Sequence, residues 1–236
     1  MVSQIADRLP RTALARVTGG AYLGFILMSV VADTFGHIGM GQPAQVYDAI
    51  LMTPWMFRLA LVIGFVSALL FLLAAWGLYV LLRPVNRDLA LLFLLLNAIG
   101  VAIQCASMLG LISALLAADP ASTTQAFSDE ELKAFAYLSI GVYKTGFVAA
   151  QLFFSTWLFP LGYLVYKSTF LPRFLGILLL VDGAGVLVWF LQALLLPAYP
   201  VIAYPGLAVS FAAEFGLGLW LLIKAVKPEH AVVQPT

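Results

Sequence analysis

The sequence predicts an all-α fold: a polytopic transmembrane bundle of six helices with both termini in the cytoplasm. Three observations predict it. Hydrophobic residues make up 63% of the 236-residue chain and charged residues 10%, whereas a soluble domain needs about a quarter charged residues to cover its surface. Six stretches, 17–35, 57–82, 89–117, 139–166, 174–196 and 203–223, reach the roughly 20 apolar residues a helix needs to cross a hydrocarbon core of about 30 Å. Finally, Lys and Arg fall almost entirely on one side of those stretches. Arg8, Arg11, Arg16, Arg83, Arg87, Lys167, Arg173, Lys224 and Lys227 share a side, leaving Arg58, Lys133 and Lys144 on the other. Positive residues concentrate in the cytoplasm, which sets the orientation. Backbone groups in lipid must be bonded internally, and the short alternating strands of a barrel are not seen.

Taken in order, residues 1–16 carry Val2, Ile5 and Leu9 at helical spacing around Asp7 and Arg8, the pattern of an amphipathic helix on the cytoplasmic surface. The apolar run that follows is too long for a secretory signal and lacks a small-residue cleavage site, so it reads as an uncleaved first span. The transmembrane domain is expected over 17–224, with a cytoplasmic tail over 225–236. In the first outer loop, Pro43 opens a short surface helix over 44–52, since proline suits a first helical turn. Ser128 and Glu131 form a capping box. The helix begun there runs past Tyr166, about 60 Å at 1.5 Å per residue, so it either projects into water or bends near Gly141 or Gly146. Residues 77–100 align without gaps on 162–185, which would make spans 2–3 and 4–5 parallel hairpin repeats.

Few residues can carry chemistry. Asp182 lies nine residues beyond Arg173 and Glu214 ten before Lys224, which puts both about 14 Å into the membrane, near its midplane. Asn97 reaches a similar depth. An ionised side chain there costs at least ~2.5 kcal/mol, so each should face the bundle interior and find a partner. Asp182, Glu214 and Asn97 are read either as a polar, proton-sensitive midplane pocket or as interhelical hydrogen bonds that hold the bundle together. A second group lies towards the outer face: Asp33, Arg58 and Lys144, with Gln104, Gln151 and Gln192 somewhat deeper. Arg58 and Lys144 either receive an anionic head group at a cavity mouth or reach to the interface and pair with Asp33. Glycines at Gly20/Gly24, Gly141, Gly183/Gly185 and Gly216/Gly218 suggest small-residue packing faces.

Cys105 cannot form an internal disulfide. The two histidines, His37 and His230, fall on opposite sides of the membrane, so no histidine metal cluster is expected. No nucleophile elbow, phosphate loop or metalloprotease motif occurs, and no cofactor and no nucleic acid is expected. Three functions remain open. The first is binding, with transport as an extension, of a small or lipid-like ligand in a polar intramembrane pocket. The second is a membrane-embedded enzyme acting on a lipid or isoprenoid by acid/base chemistry, and the third a structural or accessory subunit. Membrane lipids are the expected partners, and transport by so small a bundle would call for a homodimer.

Two loop motifs and one helix carry a family resemblance. They are Leu78 to Arg87 (LYVLLRPVNR) with Leu89-Ala90-Leu91, then Gly162-Tyr163-Leu164 through Phe170-Leu171-Pro172-Arg173, and Glu214 followed by Leu219-Trp220-Leu221-Leu222. Together they resemble the bacterial multi-spanning family known as domain of unknown function 4386, over essentially the whole chain. The resemblance implies a bacterial cytoplasmic (inner) membrane location, draws attention to Glu214 and Arg58, and assigns no catalytic residue. Without any catalysis, Pro84 and Pro172 would stop one helix and set up the next, while Arg83, Arg87 and Arg173 pin each hairpin to anionic lipid.

Overall fold

The computed structural model describes residues 10–39, 41–119 and 127–226, which are helical apart from short connections and contain no strand. The elements are α1 (Arg11–Gly36), α2 (Pro43–Met52), α3 (Pro54–Leu82), α4 (Arg87–Ala117), α5 (Asp129–Thr156), α6 (Leu158–Lys167), α7 (Arg173–Leu195), a 3₁₀ turn (Pro200–Ala203) and α8 (Tyr204–Ile223). With α5 and α6 taken together, six helices are long and apolar enough to cross a membrane. The six expected stretches match them closely. Most of the surface helix expected over 1–16 lies outside the described residues, and residues 11–16 belong to α1.

Local chemistry explains the boundaries. Asn86 caps α4 by accepting a hydrogen bond from the Leu89 N–H at 3.0 Å, which satisfies one of the unpaired donors of a helix start. The Ser128 and Glu131 capping box forms, with the Ser128 N–H donating to the Glu131 carboxylate at 2.8 Å. Pro43 and Pro54 occupy the first positions of α2 and α3, where the absent N–H costs nothing. The break in the long fourth span corrects the expectation of a bend at Gly141 or Gly146. It falls at Trp157, between α5 and α6. Pro160 is the cause: it cannot donate to the Thr156 carbonyl, and its ring crowds that carbonyl.

Each span packs antiparallel against its neighbour in sequence, and α8 against α1 closes the set into a ring. Several seams depend on glycine, two of them on α8. A Cβ on Gly185 would come within 2.8 Å of the Gly206 Cα, and one on Gly19 within 2.5 Å of the Leu222 backbone nitrogen. Such close backbone approach is what drives association where lipid removes the hydrophobic force between helices. The expected small-residue faces are therefore only partly correct. Gly183, Gly185 and Gly218 sit at close contacts, whereas nothing lies within 4 Å of a Cβ on Gly141, and Gly20 and Gly216 meet only side chains at 3.9 Å. Gly77 meets Thr18 of α1, while Gly162 meets Gly176 and Leu180 of α7; the two glycines aligned by the repeat pack on unlike partners.

The half of the ring nearer the termini is filled by aromatic side chains. Tyr22, Phe71 and Trp157 pack across it, Phe71 to Trp157 edge-on at 5.3 Å and Tyr22 to Phe71 stacked at 5.9 Å. Phe93 closes the far side against Trp157 at 6.2 Å. At the opposite end α2 lies over the bundle, burying Val46 and Ile50 beside Phe57, Met108 and Ile140.

Candidate functional site

Between the aromatic layer and the end capped by α2, the ring is not filled. A cavity of about 380 Å³ occupies it, and each span contributes: Ser29, Ser67, Gln104, Gln151, Trp189 and Glu214 come from six different spans. The sequence explains the void. Small residues, Ser29 of α1 with Gly64 and Ser67 of α3, stand at this level, where the layer below has Tyr22, Phe71 and Trp157. The volume is that of a small-molecule site.

Two aromatic pairs face each other across the cavity. On one side Phe25 and Phe71 are stacked, with centroids 4.1 Å apart. On the other, Phe147 and Trp189 meet edge-on at 6.1 Å. Phe154 joins Phe71 at 5.2 Å as part of the floor. The polar lining is partly self-satisfied. Ser67 donates to the Phe25 carbonyl at 3.0 Å, so the 2.7 Å bond between Ser29 and Ser67 is donated by Ser29. Gln151 donates to the Phe147 carbonyl at 3.3 Å.

Glu214 is the deep charge-bearing group of the cavity, and Asp182 is its neighbour behind the wall. Asp182 is fully buried and lies within Coulombic range of both Glu214 and Tyr22. Helix direction separates their roles. Side chains tilt towards the N-terminus of their helix, and α7 and α8 run in opposite directions, so Glu214 leans into the cavity while Asp182 leans towards the termini end. The Tyr22 hydroxyl faces Glu214, and Ser210 faces Asp182, but neither pair closes to a well-formed hydrogen bond. Tyr22 and Asp182 are thus buried polar groups with unused capacity. Among the described residues no Lys or Arg lines the cavity.

Of the three residues assigned to a midplane pocket, then, Glu214 lines the cavity and Asp182 adjoins it. Asn97 does neither: it is fully buried, without a hydrogen-bond partner, one turn beyond Phe93. Of the outer group, Asp33, Gln104 and Gln151 line the cavity. Lys144 donates to the Gly39 carbonyl at 2.8 Å and to that of His37 at 3.4 Å, close to Asp33. It fixes the turn after α1 that places Ile38 and Gly39 in the cavity lining. Gln192 donates to the Leu196 carbonyl at 2.9 Å and serves the end of α7 instead. Arg58 is not paired with Asp33, contrary to the expectation. It lies outside the cavity and pairs with Asp119 at 3.3 Å, because the ends of α3 and α4 are adjacent there. Tyr22, Ser210 and Trp189 were not legible as site residues, although Ser210 stands one turn from Glu214 on the same helical face.

The cavity opens sideways. On α1, one stripe of residues faces α8, and near the termini it is closed by Gly19 and Leu23 against Leu222 and Gly218. Further along the same stripe Val30 and Thr34 are exposed, Val30 by 55%, yet both line the cavity. The gap between α1 and α8 at this level is a lateral portal. A second cavity, about 370 Å³, lies at the termini end beside Trp220 and Lys224 and is otherwise mostly apolar.

The chain belongs to the family described as a domain of unknown function (DUF4386), which matches over residues 17–225. An uncharacterized protein of Archaeoglobus fulgidus is 28% identical over 176 residues, covering 72% of this chain and 86% of that relative. No solved structure matches the chain.

Proposed function

We propose that this protein binds a small or lipid-like ligand in the cavity between its six spans, with both termini in the cytoplasm and the cavity in the outer half of the membrane. One observation carries the reading. A void of about 380 Å³ is lined by all six spans and combines aromatic walls with a mid-membrane carboxylate. A bundle that only packed would fill that space, because interiors close to near-crystalline density and polar groups in a membrane core are costly to keep. The basic residues at the termini end support the orientation, and the cytoplasmic membrane of a prokaryotic cell is the location it fits. A role in transport would extend this reading by moving the ligand past the aromatic floor.

Native mass spectrometry on protein extracted gently from its own membrane tests it. The expected result is a stoichiometric adduct that is not bulk phospholipid and that is lost when Ser67→Trp fills the cavity. Heterogeneous phospholipid alone, unchanged in the stably folded variant, would overturn it.

A further inference from the structure

The lining chemistry points to a narrower class, given that the cavity is a ligand site as proposed above. We infer that its ligand is a membrane-partitioned organic cation, whose ammonium group reaches Glu214 between the aromatic pairs while its apolar tail lies in the portal between α1 and α8.

Three observations carry this. The first is charge. Glu214 is at mid-membrane with a second carboxylate, Asp182, in Coulombic range, and among the described residues no Lys or Arg lines the cavity to balance them. A carboxyl at that depth with no fixed counter-charge stays neutral by holding a proton, and a bound cation is the partner that lets Glu214 ionise. Lys144 is engaged with the His37 and Gly39 carbonyls just beyond the end of α1 and does not line the cavity. An anionic ligand finds no fixed positive charge among the described lining residues and meets a carboxyl that its own charge keeps protonated.

The second is the walls. Phe25 and Phe71 on one side and Phe147 and Trp189 on the other offer ring surfaces to a group held between them. A cation within about 6 Å of a ring face is attracted by the ring quadrupole, more strongly where water is excluded. Glutamine and serine side chains around these rings accept weak hydrogen bonds but provide no fixed positive charge. The third is the route. The portal borders Val30 and Thr34, exposed on the flank of the last two turns of α1, so a ligand with an apolar tail enters from the bilayer and leaves its tail there.

Binding of three matched probes to the full chain in phosphatidylcholine nanodiscs tests the inference. The probes are diphenylhexatriene bearing a trimethylammonium group, the neutral parent, and the propionic acid form. All three partition into lipid, and energy transfer from tryptophan reports proximity. The cationic probe should show a saturable component of one per protein, weakened at least tenfold by Glu214→Gln. If that variant does not fold, Val30→Trp, which plugs the portal and leaves the carboxylate in place, should abolish the same component. Saturable binding of the neutral or anionic probe equal to that of the cation, or cation binding untouched by a folded variant, would overturn the assignment but leave the cavity reading standing. Absence of a saturable component for all three would overturn both.

Discussion

The two halves of this bundle are built from the same six helices but solve opposite problems. Near the termini the ring is shut. Trp157 is fully buried against Phe71 and Phe93, and the α1–α8 seam closes where Gly19 lets the backbones touch. A few turns further on, Trp189 stands partly buried on a cavity wall, Ser29 and Ser67 replace bulk with a hydrogen-bonded pair, and Val30 and Thr34 of α1 are exposed beside the cavity. The difference teaches where function was placed. Dense aromatic packing in one half holds the ring together, which frees the other half to keep a void that packing alone would remove.

The largest test of that contrast compares two tryptophans. Trp157→Ala removes a fully buried ring from the shut half and should cost about 3–5 kcal/mol, as large aromatic truncations in a core do. Trp189→Ala only enlarges an existing cavity and should cost less than half as much. Thermal unfolding of both variants in the same detergent reads the difference. Equal losses would mean that the cavity half is as structurally committed as the floor.

The fold was legible because the membrane imposes it: length, hydropathy and the one-sided basic residues leave six helices as the answer. The long fourth span shows where that reasoning stopped. Glycine drew attention as the bend, yet Pro160 breaks the ladder, since its effect falls on the carbonyl four residues earlier and so appears at Thr156 and Trp157. Depth counting placed Asp182, Asn97 and Glu214 at one level, but it carries no information about rotation around each helix. Only the packed ring shows that Glu214 looks into the cavity, Asp182 sits behind it and Asn97 lies elsewhere. Tyr22 was passed over because a tyrosine in an apolar helix reads as packing until its hydroxyl is seen facing Glu214.

A smaller effect is expected at the seams. Gly206→Leu drives a side chain into the Gly185 backbone, 2.8 Å from the position of its Cβ. Overpacking of that kind costs about 1–3 kcal/mol and here would also pry α7 from α8 beside the portal. Gly141→Leu is the control, because nothing lies within 4 Å of its Cβ and a leucine there faces open space. Melting temperatures should fall for the first and hold for the second. A matching fall in both would show that helix propensity or insertion, rather than close backbone approach, is being measured.

The smallest effect separates the cavity from the surface around it. Arg58 and Asp119 form a 3.3 Å ion pair with side chains 56% and 32% exposed, and exposed pairs contribute about 0.2–1 kcal/mol because both charges remain solvated. Arg58→Ala should therefore shift unfolding slightly, and less still at high salt, where screening has already weakened the pair. It should leave ligand occupancy unchanged, since Arg58 does not line the cavity. A variant that keeps its stability but loses the bound mass would make Arg58 part of the entry path. The sideways portal between α1 and α8 would then not be the only route in.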